Sequence, residues 1–470
     1  MASLPRTCRL APFGMRGMPS MHMHTYTPRR PKDEGSIATV FSSLSGSAPA
    51  LPTRFADLKK DLWIDLLSQS WREVLHELRG SVEEIVARGA EMIPSVHFSD
   101  LQRGLSLDQI SQIRAAGVLI VRAGVPHEEA LGWKRTLKDY ISLNGDKVKG
   151  FPEGNLQVFE IYNSGAQIRA RTHPAILQTQ RAILQLWHCT ESEAKLSLVT
   201  PISYFDRLRM RQPGDRSFTL IPHIDGGSLE RWEDPGFRAC FRSIFEGRWR
   251  EHDPFDAAPR LDACQDLYHA PNQCSIFRPW QGWTSMSTTG PGEGTLRVAP
   301  MLKLATAYLI LRPFFKPRTP FSGLDDWVVD LESTTFPGSQ MGKTQELSEA
   351  THPHLQLSRT MVSAPRVEPG DQIYCDSSVL YIPAVPLSVR NAEYLRDQRH
   401  NFERGLPAPD FPGGKGESFF LSRGGQEHIQ GRTGLRALGF KAFDIPAGAS
   451  AGEAQAVLEA NRILFPEIFE

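Results

Sequence analysis

After Gly150 the sequence becomes a succession of short β-branched and aromatic runs separated by proline and glycine turns, and this rhythm constrains the fold most. The runs are Gln157–Tyr162, Ile202–Met210, Cys274–Phe277, Thr284–Ser287, Thr295–Val298, Ala305–Leu311 and Val379–Ile382. Between them lie turns such as Pro213-Gly214-Asp215, Gly290-Pro291-Gly292 and Pro369-Gly370-Asp371. Glycine reaches backbone angles closed to other residues and proline removes a ladder donor, so both end regular elements. Many short strands between such turns predict a β-sandwich or barrel. One helix, Ala175–Trp187, interrupts the pattern.

Residues 53–150 read differently. Phe55, Leu58, Leu62, Leu66, Trp71, Leu75 and Leu78 recur at helical spacing over Arg54–Leu78. Further helices are predicted over Ser81–Met92, from Ser106, and over Glu128–Asn144, with Gly117–Arg122 as a buried strand. Residues 1–52 form a basic leader and a Ser/Gly/Ala linker with little to pack, expected to be disordered. The predicted organisation is thus a leader (1–52), a helical N-terminal layer (53–150) and a β-rich core (151–470) whose tail is helical after Asn391, then irregular. The fold class is mixed α+β.

Charge and composition exclude several functions. Lys plus Arg is 53 and Asp plus Glu is 53, giving a net charge of zero, whereas nucleic-acid binders need a basic face. No apolar run approaches the ~18 residues of a membrane span. The six cysteines form no C-x-x-C pair, which argues against a disulfide scaffold or structural zinc. Met1–Lys32 holds six Arg/Lys and no acid before Asp33. That is a mitochondrial presequence's composition as well as a plain basic tail's; the expected location is cytoplasmic, with mitochondrial as the alternative.

Chemistry concentrates at Pro222-His223-Ile224-Asp225-Gly226-Gly227. Residues two apart on a strand project from one face, so His223 and Asp225 can reach one point. Imidazole and carboxylate are two of the three ligands in the two-His-one-carboxylate iron arrangement. Spacing alone is weak, since 14 histidines give about 0.7 chance H-x-D matches at average Asp usage. The setting strengthens it: a predicted strand, Ser217–Ile221, leads in and a double glycine leads out. No G-x-S-x-G elbow and no P-loop is present, and His127-x-Glu129 falls on a helix where the two side chains diverge.

Longer strings are more specific. Asp206–Asp215, His223–Gly236, Phe277-Arg278-Pro279-Trp280-Gln281-Gly282-Trp283, Tyr381–Leu387, Asn391–Leu395 and Pro409–Gly414 resemble the domain-of-unknown-function 1479 family, which includes glucosamine-induced proteins. The likeness runs from about Asp33 to the C-terminus, and the H-x-D context resembles phytanoyl-CoA hydroxylase-type oxygenases. The resemblance implies a double-stranded β-helix (jelly roll) that holds Fe(2+) on His223, Asp225 and a distal His. It also implies 2-oxoglutarate as cosubstrate and oxidation or hydroxylation of a small molecule, plausibly in specialised metabolism. An arginine would meet the far carboxylate of the cosubstrate, because a planar fork pairs two oxygens at once. Arg209 leads, followed by Arg207 and Arg278, and Trp232 is expected to wall the substrate pocket.

One departure stands out. In the family a Gly-Asp turn opens a strand that carries the distal His before the Asp-Ser-Ser segment. Here Gly370-Asp371 reaches Asp376-Ser377-Ser378 after four residues, and no histidine lies between His354 and His400. Either a coding segment has been lost between Asp371 and Asp376, or the chain is a catalytically inactive binding or regulatory jelly roll.

Overall fold

The computed structural model describes residues 32–46, 49–210, 219–374 and 380–469. Local sequence fixes several elements directly. Ser106 and Gln109 form a capping box ahead of the helix Leu107–Ala116, and Gly117 in the left-handed region (φ +69°) ends it. The chain then enters β2 (Leu119–Arg122), whose first three residues are buried on both faces.

An eight-stranded sheet runs through the molecule. Its strands are β1 (Ser95–His97), β2, β3 (Gly150–Phe151), β4 (Val158–Phe159), β5 (Leu208–Arg209), β6 (Gly282–Thr284), β7 (Gln372–Tyr374) and β8 (Leu380–Tyr381). Their spatial order is β1-β2-β7-β6-β8-β5-β4-β3. All neighbours are antiparallel except β1 and β2. The helical N-terminal stretch therefore supplies two strands to the same sheet as the C-terminal part. Four two-stranded pairs add to it, among them Val385–Ser388 with Leu196–Ile202. The architecture is mixed helix and strand, and the sheet of described strands does not close into a barrel.

The largest core cluster packs the long helix Leu66–Arg88 against the helix Leu302–Leu311. Trp71 stacks on Phe315 (4.5 Å between centroids) and on Tyr308 (5.4 Å). No described helix is long and apolar enough to cross a membrane.

The differences from the sequence reading have physical causes. Ala305–Leu311, expected as a strand, is the end of the helix Leu302–Leu311; a short all-apolar run has the same pattern in a buried helix as in a buried strand. Cys274–Phe277 is irregular because side chains take its donors: Asp410 accepts from the Ser275 N–H (3.0 Å) and Asn391 from the Phe277 N–H (3.2 Å). The predicted helix over Arg54–Leu78 breaks after Leu62, and its second part runs on to Arg88, absorbing most of Ser81–Met92.

Residues 32–46 pack rather than hang free. Lys32 is buried between Asp266 (2.7 Å) and Asp410 (3.1 Å), and Ile37, Val40 and Phe41 lie against Val158. The leader to residue 31 lies outside the described residues.

Three buried histidines make the fold pH-sensitive. Burial, ahead of the charges of Arg260 and Lys303, pushes His252 down to about 4, and burial first also lowers His354 to about 4 and His352 to about 3. Below their ordinary pKa the unfolded chain binds protons that the folded chain refuses, so this stability is complete above pH ~6.5 and is lost as pH falls. The urea midpoint should fall between pH 6.5 and 5, because the three histidines together outweigh the Glu230 carboxyl, which burial raises to about 7 and which acts in the opposite direction; a level or rising midpoint across that window would contradict this.

Candidate functional site

His223 and Ile224 form a two-residue strand paired antiparallel with Gln345–Glu346. The Leu347 N–H donates to the Pro222 carbonyl (2.7 Å) and extends the pairing. Of the strand predicted over Ser217–Ile221, residues 217 and 218 lie outside the described residues and 219–221 are irregular. Beyond Asp225 the chain turns through Gly226 (φ +76°) and Gly227 (φ +80°). A Cβ at Gly226 would lie 2.7 Å from Gln265 Oε1, the movable end of a side chain, so the left-handed backbone more than space calls for glycine here.

Arg231 holds this turn from inside. Its guanidinium donates to the carbonyls of Asp225 (3.3 Å), Gly226 (3.0 Å) and Ser228 (3.4 Å) and to Gln345 Oε1 (3.0 Å). Burial pulls its pKa down to about 10, which still leaves it charged at neutral pH. Beside it the Ser228 N–H donates to Glu230, whose carboxyl is pushed up to about 7, chiefly by burial.

The sequence-predicted pair does converge. His223 Nε2 lies 3.5 Å from Asp225 Oδ1, while His223 Nδ1 lies 2.7 Å from the Ile221 carbonyl. A carbonyl only accepts, so Nδ1 carries a proton and Nε2 is the ring nitrogen turned to the carboxylate side, the orientation a metal-ligating imidazole would use. The Phe41 ring meets the imidazole edge-on at 4.9 Å, so the packed segment 32–46 covers the pair.

Two cavities share this wall. The larger, about 760 Å³, runs from His223, Asp225 and Arg209 along Phe237, Phe241 and Trp187. The smaller, about 80 Å³, is polar and touches His223, Asp225, Arg207, Asn272 and Gln273. Arg278 lines both. Arg209 sits on β5, almost fully buried, and faces the larger cavity. Arg207 donates to Asn272 Oδ1 (3.0 Å) and lies 4.6 Å above the Phe411 ring. Arg278 pairs with Asp206 (3.5 Å) over the Tyr204 ring. Burial opposes the charge of Arg278, but Cys274, Tyr204, Asp225 and Asp206 outweigh it and raise its pKa.

Other expectations are not met at the site. Trp232 is fully buried, donates its indole N–H to the Ile310 carbonyl (3.0 Å) and packs on Phe336; the cavity wall takes its neighbour Arg231 instead. Among the described residues no three His, Cys, Asp or Glu side chains gather as a metal-ligand cluster. His354 is committed to the core, against Tyr308 (3.1 Å) and the Leu324 carbonyl (2.8 Å). Asp371 pairs with Arg122 (2.8 Å) and accepts from the Ala123 N–H. Residues 375–379, where the distal-ligand segment was expected, lie outside the described residues. Sequence reasoning missed Gln265 and Phe41, which long-range packing brings to the pair, and Arg231, which reaches back to the turn from six residues on.

Fold and site together define a mixed helix-and-strand protein with an H-x-D pair at the wall of a small-molecule-sized cavity. The chain belongs to the Gig2-like family, whose profile matches residues 49–440. It is 31% identical over 360 residues to the protein YbiU of Escherichia coli (strain K12), covering 70% of this chain and 82% of that one. The crystal structure of GlcNAc Inducible Gene 2 (GIG2, DUF1479) from Candida albicans superimposes with a TM-score of 0.79 at 28% identity, covering 90% of this chain and 96% of that one. A Salmonella typhimurium LT2 structure, named "Putative Oxidoreductase", superimposes with a TM-score of 0.72 at 28% identity, covering 84% of this chain and 98% of that one.

Removing the Arg231 clamp should loosen the turn. Arg231→Met strips the donors from several buried carbonyl oxygens, each worth about 1–3 kcal/mol when left unsatisfied. Urea unfolding should show a loss of about 3 kcal/mol or more, and Arg231→Lys should recover only part of it, because one ammonium cannot span four acceptors. Unchanged stability in Arg231→Met would refute the clamp.

Proposed function

We propose that the protein is an iron- and 2-oxoglutarate-dependent oxidoreductase that oxidises or hydroxylates a small molecule. The supporting observation is the His223–Asp225 pair, aligned through Nδ1 on the wall shared by the two cavities. His223 and Asp225 would hold the iron, and their donor set fits two of the three positions of the facial arrangement. Bound iron would supply oxidation of an unactivated C–H bond, coupled to conversion of 2-oxoglutarate to succinate and carbon dioxide. The protein's part is orientation. Arg209 and Arg278 put positive charge beside the pair to receive carboxylates, and Phe41 with its segment keeps bulk water from one side of the imidazole. Protein made from the native transcript and incubated with Fe(2+), 2-oxoglutarate and oxygen should release succinate, and His223→Ala should lower both bound iron and succinate by ~100-fold or more. Equal iron content in wild type and His223→Ala would defeat this ligand assignment.

The strand topology supports the loss of a segment that would carry a third ligand. β7 and β8 flank β6, both antiparallel to it, and so run parallel to each other. Tyr374 lies opposite Gly282, whereas Leu380 lies opposite Thr284, at the other end of β6. Parallel strands need a crossover of about a dozen residues or more, and only 375–379 separate these two. This favours an in-frame coding segment between the codons for Tyr374 and Leu380 that the sequence lacks. Sequencing the transcript there should reveal added residues that include a histidine. A transcript matching the chain would favour the second reading, a non-catalytic small-molecule-binding protein built on the same cavity.

A further inference from the structure

The larger cavity has a polarity that its metal-type pair does not explain. Its wall is mostly aliphatic and aromatic, and among the described residues Asp225 is its one carboxylate, against Arg209, Arg231, Arg260, Arg278 and Arg297. Four of these arginines are engaged. Arg231 spans the glycine turn, Arg278 pairs with Asp206, Arg297 donates to the Met361 carbonyl (2.7 Å), and Arg209 has contacts of its own. Arg260 is different. It is half-buried, its Nε has no hydrogen-bond partner, and among the described residues no carboxylate lies within ion-pair distance of its guanidinium. What holds it is aromatic: it lies 5.3 Å from the Phe241 ring and 5.8 Å from the Trp187 ring, which fixes the cation without neutralising it.

A run of aromatic contacts leads from the turn to Arg260. Arg231, on the turn itself, lies 5.9 Å from the Phe237 ring; Phe237 lies 5.7 Å from Phe241; and Arg260 sits beyond Phe241. A ligand lying along this wall with one end at His223 and Asp225 would bring its other end to an uncompensated cation.

Resting on the reading of this cavity as the substrate site, we propose that Arg260 selects the substrate: an elongated apolar molecule with a terminal carboxylate, the carboxylate on Arg260 and the apolar body along Phe237 and Phe241 toward the H-x-D pair. A guanidinium fork matches a carboxylate through two parallel hydrogen bonds, and the surrounding rings exclude water from that pair. The cavity volume suits a drug-sized or medium-chain molecule.

Trp187 and Trp280 line the cavity, so tryptophan fluorescence reports its occupancy. The metal-free full chain should be titrated with dodecanoate and with dodecan-1-ol, which share the chain and differ in the head. Dodecanoate should saturate at one per chain and bind at least about tenfold more tightly than the alcohol. Arg260→Met should bring the two within about twofold, and Arg260→Lys should keep part of the preference; near-ultraviolet circular dichroism checks that both variants fold. Equal affinities in the wild-type chain, binding of neither compound, or a preference that survives intact in Arg260→Met would overturn the proposal. Because this titration needs no iron and no turnover, a carboxylate preference alongside a failed succinate assay would overturn the oxidoreductase reading alone.

Discussion

Much of the molecule depends on the three residues of β6, Gly282–Thr284, being held between two parallel-running neighbours. Gly282 can sit there because it has no Cβ: one would lie 2.5 Å from the Tyr374 ring and 3.0 Å from the Ile382 carbonyl. Trp283 is then driven into the core with Ile120, Ile373 and Val367. Through β7 and β2 this strand ties in the helical N-terminal layer, and through β8 it fixes β5, which presents Arg209 to the cavity. The position of a candidate substrate-orienting arginine is thus set by a strand more than 70 residues away in sequence.

The site joins two kinds of polar burial. Some charges are matched inside the protein, as with Lys32 between Asp266 and Asp410, where the lysine and the Ser275 N–H keep the Asp410 carboxyl below its ordinary value despite burial. Such groups fasten elements together and are costly to break singly. Arg260, by contrast, is held by rings, and among the described residues no carboxylate lies within ion-pair distance of it. The first kind ties distant segments together, and the second leaves electrostatic work for a ligand.

What could be read from the sequence follows the range of the forces involved. The capped helix ending at Gly117, the strand after it and the convergence of His223 with Asp225 are local consequences of spacing, and all three appear in the structure. Ala305–Leu311 misled because apolar runs lack a period, and Trp232 misled because nearness to the turn in sequence did not decide which way the indole packs. Phe41 on His223 and Arg260 on Phe241 are products of tertiary packing, and no local signal marks them, whereas Arg231 reaches back only five or six residues to the glycine turn. The brevity of Gly370–Ser378 is legible in the sequence as a departure from the family pattern.

The central claim is that His223 and Asp225 form the protein half of a divalent-cation site that also takes a keto acid. The most direct measurement is titration of the full chain with Mn²⁺, a redox-inert substitute for iron, followed by electron paramagnetic resonance with and without 2-oxoglutarate. The account predicts one bound Mn²⁺ per chain, with affinity raised by 2-oxoglutarate. Absence of bound Mn²⁺ from protein made from the native transcript, or binding indifferent to 2-oxoglutarate, would contradict it.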